Sequence, residues 1–197
     1  LSQTAHMFEN DADNSLREFT RRILHEADIN IDDFNVEIKN ISHEQFLQHF
    51  PQEIRGLLST IPGEMNESVK IETVHSIIED GIAKQYNLPL AEESQGTCNL
   101  FLFSPILKKA FETGETLCID EFDASLHPLL VRYLFALFNN PEVNKNRAQL
   151  IVSSHSVVLL SLKNLRRDQI YFVQKDRKTG KSELYSLDEF SPRKEED

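Results

Sequence analysis

Apolar residues recur at helical spacing in some stretches of this chain and alternate in others, and the two periods divide it into elements. After Ser15-Leu16-Arg17-Glu18, which has the order of a capping box, Phe19, Ile23 and Ala27 fall on one helical face. In FNVEIKNI (34–41), Phe34, Val36 and Ile38 alternate with polar residues, which predicts a strand. HEQFLQHFPQEIRGLLSTIP predicts short helical pieces broken at Pro51 and Pro62, because proline has no amide to donate. PGEMNE then reads as a loop. It is the expected boundary between an N-terminal segment, residues 1–67, and a main lobe, residues 68–197.

From Val69 the pattern is more regular. VKIETVHSI and AKQYNLPL predict two strands around the turn residues Asp80-Gly81. ESQGT leads into a helix carrying Leu100, Phe103, Leu107 and Phe111, with a kink or restart expected at Ser104-Pro105 and an end at Gly114. ETLCID predicts a buried strand. Pro128 suits the first turn of a helix capped near Ser125 or His127, with Leu130, Tyr133, Leu134 and Leu137 on its apolar side. NNPEVNKN is a loop, AQLIVSS a strand and VVLLSLKNL a short helix, and DQIYFVQK and SELYSL flank DRKTG as a hairpin. Strands alternating with helices predict an α/β fold.

Composition narrows the class. At 197 residues with 40% hydrophobic and 27% charged side chains, the chain is globular and long enough for one core. No apolar run reaches the ~18 residues of a membrane helix, so no membrane partner is expected. Cys98 and Cys118 sit in apolar contexts and predict reduced core thiols of a cytoplasmic protein. Residues 1–140 hold 10 basic and 23 acidic side chains (net −13), whereas 141–197 hold 11 and 9 (net +2). That acidity excludes nucleic-acid binding by bulk charge. Only local patches are left for it: Lys163, Arg166 and Arg167, then Lys175, Arg177, Lys178 and Lys181, which read as solvated turns rather than a phosphate track. The chain opens on Leu1, with Met7 its earliest methionine, so a piece of a longer protein is expected.

Candidate chemistry gathers in three places. Thr116 to Ile119 deliver Asp120-Glu121 to a strand end, where α/β folds bind ligands. An Asp there can hold Mg²⁺ through its water shell, and an adjacent Glu can orient or deprotonate a water. A second apolar strand, LIVSS, leads to His155, which can donate to a transferring phosphoryl group. Glu93-Ser94-Gln95-Gly96-Thr97 precedes a long helix, and a hydroxyl, a glycine and a helix N-terminus together suit an anion. Each feature has a plain alternative: solvated acids, a loop histidine, a simple N-cap.

Taken in order, these motifs resemble the C-terminal half of an ABC-class ATPase over roughly residues 68–190. ESQGT stands for the signature, LCIDE for the Walker B strand, DASLHP for the D-loop and SSHS for the switch histidine. Glu93, Gln95 and Thr97 depart from the transporter signature, and His127 replaces the D-loop Asp. The departures resemble the SMC-like, non-transporter ATPases of prokaryotic anti-phage and abortive-infection systems. The resemblance implies a P-loop NTPase-like sheet with flanking helices and the cofactors ATP and Mg²⁺. Asp120 would serve the metal, Glu121 the attacking water and His155 the γ-phosphate. Ser94, Gln95, Gly96 and Thr97 would form the segment that meets ATP held by a second subunit, and Ser125 and His127 would line the dimer seam. It further implies a homodimer or higher oligomer through an ATP sandwich, and an effector partner, a nuclease or toxin.

A phosphate loop is missing. Gly180-Lys181-Ser182 lacks the first glycine of G-x-x-x-x-G-K-[ST] and sits in a hairpin, so the Walker A lobe is expected outside these residues. Two other classes stay open: a Mg²⁺-dependent nuclease using Asp120, Glu121 and Asp123, and a non-catalytic assembly scaffold. A hydrolase based on Ser153 or Ser154 has no G-x-S-x-G elbow to support it.

Overall fold

The computed structural model describes residues 1–48, 51–58, 66–123, 126–155, 160 and 165–190. Helices α1 (Ser2–Glu9) and α2 (Ser15–Glu26) precede strand β1 (Asp33–Ile41) and the short helices α3 (His43–Gln48) and α4 (Gln52–Leu58). Strands β2 (Asn66–Glu79) and β3 (Ile82–Pro89) lead to helix α5 (Gln95–Thr113), strand β4 (Thr116–Ile119), helix α6 (Pro128–Asn139) and strand β5 (Gln149–Val152). Strands β6 (Tyr171–Lys175) and β7 (Ser182–Ser186) follow. The fold is mixed α/β. Among the described residues the strands form an antiparallel β1-β2-β3 sheet, a parallel β4-β5 pair and an antiparallel β6-β7 hairpin. Asp80 and Gly81 turn between β2 and β3 at φ of 53° and 78°, the left-handed pair that matches a hairpin's twist.

The expected boundary at residue 67 falls inside β2, and the core ignores it. Phe34 of β1 packs 4.8 Å from both Phe8 of α1 and Phe101 of α5, ring centre to ring centre. Such aromatic pairs add about 0.5–1.5 kcal/mol each beyond their buried area. Ile23 and Leu24 of α2 are fully buried in the same cluster. Residues 1–67 thus contribute Phe8, Ile23, Leu24 and Phe34 to a core shared with α5. Most of the PGEMNE loop, Pro62 and most of the VVLLSLKNL helix lie outside the described residues.

Local chemistry corrects three further expectations. Helix α2 forms, but Ser15 is its first helical residue rather than its cap. Asn14 takes the cap position at φ 58°, and Asp11 accepts from the Leu16 and Arg17 amides at 3.0 and 2.9 Å. A carboxylate reached from four residues upstream therefore replaces the expected capping box. Strand β4 is not buried: Leu117 and Ile119 pack on the core, while Thr116 and Cys118 face outward, as period two requires of a pair covered on one side. Lastly, α5 runs unbroken through Pro105. Proline leaves the Phe101 carbonyl without its i+4 donor, and the Ser104 hydroxyl donates to that carbonyl instead, at 2.7 Å. The Thr20 hydroxyl of α2 lies 2.8 Å from Ser104 Oγ, and both residues are fully buried. Gly114 ends the helix at φ 73°, where a Cβ would stand 2.5 Å from the Asn146 carbonyl.

This substitution of donors is testable by a double-mutant cycle. Ser104→Ala should cost about 1–3 kcal/mol in urea denaturation with Pro105 in place. It should cost less beside Pro105→Ala, whose amide can serve Phe101 itself. Equal costs in both backgrounds would refute the account.

The N-terminal helix carries a pH-sensitive tether. His6 Nε2 lies 2.8 Å from Glu67 Oε2 of β2, a hydrogen bond that raises the His6 pKa and lowers that of Glu67. The His6 contribution is full below its ordinary 6.5 and is lost as pH rises through the raised value. The Glu67 contribution is full above its ordinary 4.5 and is lost as pH falls through the lowered value. Amide exchange in α1, corrected for intrinsic rates, should therefore rise as pH increases from 6.5 through the raised His6 value. A flat profile would show that the tether holds nothing.

Candidate functional site

Parallel pairing brings two chain segments out of the sheet side by side. Ile119 pairs with Val152, and beyond the strands the ladder continues: Ser153 N donates to the Ile119 carbonyl at 3.1 Å and Phe122 N to the Ser153 carbonyl at 3.1 Å. Ser153 Oγ donates to Asp120 Oδ1 and accepts from the Glu121 amide at 2.9 Å. Glu121 takes φ 48°, a left-handed conformation that few non-glycine residues adopt. The twist buries Phe122 and leaves the Glu121 side chain 63% exposed, with Oε1 4.0 Å from His155 Nε2. Asp120, Glu121 and His155 are therefore gathered at one edge. Ser153 is the residue that sequence reasoning missed, having weighed it only as a nucleophile. Its hydroxyl serves Asp120.

Beside these acids lies an open groove of about 390 Å³, lined by Phe103 and Ile106 of α5, by Ile119 and Phe122, and by Leu126 and Leu134. Ser94 caps α5 by accepting from the Thr97 amide at 3.1 Å, and its hydroxyl lies 2.7 Å from Thr97 Oγ1. Thr97 is buried beneath the turn it supports. Gln95 donates to Asn99 at 2.9 Å. Gly96 lies against α6, where a Cβ would approach Leu130 Cδ1 to 3.2 Å. His127 caps α6, its Nδ1 accepting from the Leu129 amide at 3.3 Å, with Pro128 at the first helical position as expected. The first turns of α5 and α6 therefore meet at Gly96. Ser125 lies outside the described residues.

Glu93, read as a departure from the signature, has partners that carried no sequence signal. Its Oε1 lies 2.7 Å from His75 Nε2 and 2.5 Å from Thr73 Oγ1, both on one face of β2.

For a metal, Asp120 with the Ser153 hydroxyl is a hard-oxygen donor set of the kind Mg²⁺ takes, with substrate phosphates and water completing its shell. Asp120, Glu121 and Asp123 do not converge into a carboxylate cage. Among the described residues no three His, Cys, Asp or Glu side chains are placed together to hold an ion. Gly180 lies in the β6-β7 turn at φ 71°, its amide donating to the Asp176 carbonyl at 2.9 Å, which removes Gly180-Lys181-Ser182 as a phosphate cradle. Of the basic positions, Arg166 pairs with Asp168 at 2.8 Å and Arg167 donates to the Leu187 carbonyl at 2.8 Å, so both are engaged within the fold. Lys163 lies outside the described residues. Among the described residues no helix is long and apolar enough to cross a membrane.

The family described as "AAA domain, putative AbiEii toxin, Type IV TA system" matches residues 1–161. The chain belongs to this family. The match to the AAA domain takes in residues 1–67, to which the motifs contributed little, and stops before the β6-β7 hairpin. A search of curated proteins found no match. Among solved structures, one is from work on ATP-driven dimerization and DNA-stimulated activation of SMC ATPases. It is 14% identical at a TM-score of 0.47, covering 93% of this chain and 88% of the other. A second, the SmcHead bound to the C-winged helix domain of ScpA, is 15% identical at 0.44, covering 92% of this chain and 43% of the other. Such values describe a broad likeness of chain path and say nothing of chemistry.

The cysteines of this AAA domain differ in access. Cys118 is exposed on the open face of β4, whereas burial and the neighbouring Glu93 carboxylate push the Cys98 thiol pKa up. A chromogenic disulfide reagent should react first with one thiol, at least about tenfold faster than with the other. Cys118→Ser should abolish the fast phase. A fast phase surviving that substitution would contradict the placement of β4.

Proposed function

We propose that this AAA domain is the signature and Walker B part of an SMC-like, non-transporter ABC-class ATPase. The observation that carries the reading is the edge of the β4-β5 pair, where Asp120, Glu121 and His155 leave adjacent parallel strands together. Membership of an AAA family supports nucleotide use. On this reading ATP with Mg²⁺ supplies the transferable phosphoryl group and the charge that screens it. Asp120, held by Ser153, orders the metal's water shell, Glu121 accepts a proton from the attacking water, and His155 donates to the γ-phosphate oxygen. Ser94 and the first amides of α5, at Gln95 and Gly96, serve ATP held by a second subunit, with Thr97 bracing the turn from inside. His127 and Ser125 line the seam between subunits.

The phosphate loop comes from outside residues 1–197, on a longer chain or a second one. The family description names a toxin of a type IV TA system, which supports a role in anti-phage defence, with hydrolysis gating an effector. A scaffold without catalysis has no use for an acid and a histidine brought together at a strand edge.

Two variants of the complete protein, with its phosphate loop, test the composite site. Glu121→Gln keeps the size of the side chain but removes the base, so turnover should fall while ATP-dependent association persists longer. Ser94→Arg blocks the signature face. Each homodimer should be inactive, whereas an equal mixture with free subunit exchange should recover roughly a quarter of the wild-type rate, since half the dimers carry one intact site. No recovery above the separate mutants, with mixed dimers confirmed by differential tags, would exclude a site shared between subunits.

A further inference from the structure

Glu93 immediately precedes the cap of α5, and its side chain is only 10% exposed. Its Oε1 sits between His75 Nε2 and Thr73 Oγ1 at 2.7 and 2.5 Å. Thr73 is fully buried, and its hydroxyl also lies 3.1 Å from the Leu88 carbonyl and 3.2 Å from His75 Nε2. On the helix side, Cys98 Sγ lies 2.9 Å from the Leu90 carbonyl, so the loop before α5 is gripped from both ends. Burying a carboxylate beside two polar groups is a poor way to stabilise a fold, because a hydrophobe of similar volume avoids the desolvation cost. What directed hydrogen bonds add is a fixed orientation. Here the anchor is itself rigid: Thr73 lies on the central strand of three, opposite Phe34 on one side and Leu88 on the other.

We propose that Glu93 is a positioning residue: clasped by Thr73 and His75, it sets the turn that presents Ser94 and the first amides of α5 to the γ-phosphate on a second subunit. This rests on the composite-site reading above. The antiparallel sheet thereby acts as the mount for the signature segment, and a shift of about 1 Å at such a site can cost about a hundredfold in rate. A loss of kcat at temperatures where the variant is fully folded separates the clasp from an ordinary structural contact.

The test uses the complete protein with its phosphate loop. Glu93→Met fills the same space without a charge. It removes the acceptor shared by Thr73 and His75, so it should melt lower while still folding, should bind ATP to separate subunits within about twofold of wild type, and its kcat should fall about tenfold. Glu93→Gln keeps an acceptor for both donors and should recover kcat to within about threefold. Should Glu93→Met not fold, Thr73→Val and Thr73→Ser take its place, with kcat lowered by the first and kept by the second. Ser94→Arg runs in parallel. If Ser94→Arg is inactive while Glu93→Met, or Thr73→Val in its stead, keeps wild-type kcat, the clasp is overturned and the composite site stands. Equal losses in Glu93→Met and Glu93→Gln overturn it as well, since charge rather than geometry would then be at issue. An active Ser94→Arg overturns the composite site and the clasp with it.

Discussion

Two strands that pair in parallel must end at the same edge, and the candidate site depends on that constraint. With Ile119 opposite Val152, the residues that follow β4 and those that follow β5 have to leave the sheet together. An antiparallel pairing of the same two sequences would send the acids and the histidine to opposite ends. Parallel pairing also demands a long crossover, and here the crossover is α6 with its flanking turns. The connection that permits the parallel pair thus carries Leu130 to Gly96 in the first turn of α5, so the start of α5 and the acids belong to one framework.

Left-handed backbone at Glu121 costs roughly 1–2 kcal/mol for a residue with a Cβ. Burial of Phe122 returns about 1.5–3 kcal/mol, and the two hydrogen bonds at Ser153 add to it. The balance favours the strained turn. One backbone rotation consequently sends a ring inward and a carboxylate outward within two residues, whereas an extended continuation of β4, with Leu117 and Ile119 inward, would have turned Glu121 inward and Phe122 outward. The strain is what ties the two strand ends together.

Much of this was legible in the chain, and the reasons for success and failure are physical. Period two marked β1, β2 and β3, and Asp80-Gly81 marked their hairpin, because alternation and turn chemistry are local. His127-Pro128 marked the start of α6 for the same reason. The site was legible as an order of motifs: strand-Asp-Glu, then strand-His. Ser153, Thr73 and His75 were not legible, because each acts through a partner 20 or more residues away, or nearly so: 33 to Asp120, 20 and 18 to Glu93. The strand that runs through residue 67 was hidden for a related cause. A polar, proline-containing stretch marks a loop, but whether a loop divides two cores or joins two strands of one sheet is decided by pairing, and β1 pairs with β2.

Pro105 shows how a local rule and a tertiary contact combine. Taken alone, proline at the middle of a 19-residue helix removes one hydrogen bond and invites a kink. Ser104 supplies the missing donor to Phe101, and Thr20 of α2 lies within hydrogen-bonding distance of Ser104, so the repair depends on a neighbouring helix rather than on α5 itself. The consequence reaches the site. A straight helix of this length is a beam of roughly 28 Å. One end holds the Ser94 cap, and Phe103 and Ile106, the residues directly flanking Ser104-Pro105, line the groove beside Asp120 and Glu121. A kink at Pro105 would swing the Phe103 end relative to the Ile106 end and open that wall. Helix α2, which the motif pattern left out, therefore takes part through Thr20 in the hydrogen bonding at Pro105, through which α5 runs unbroken beside the site.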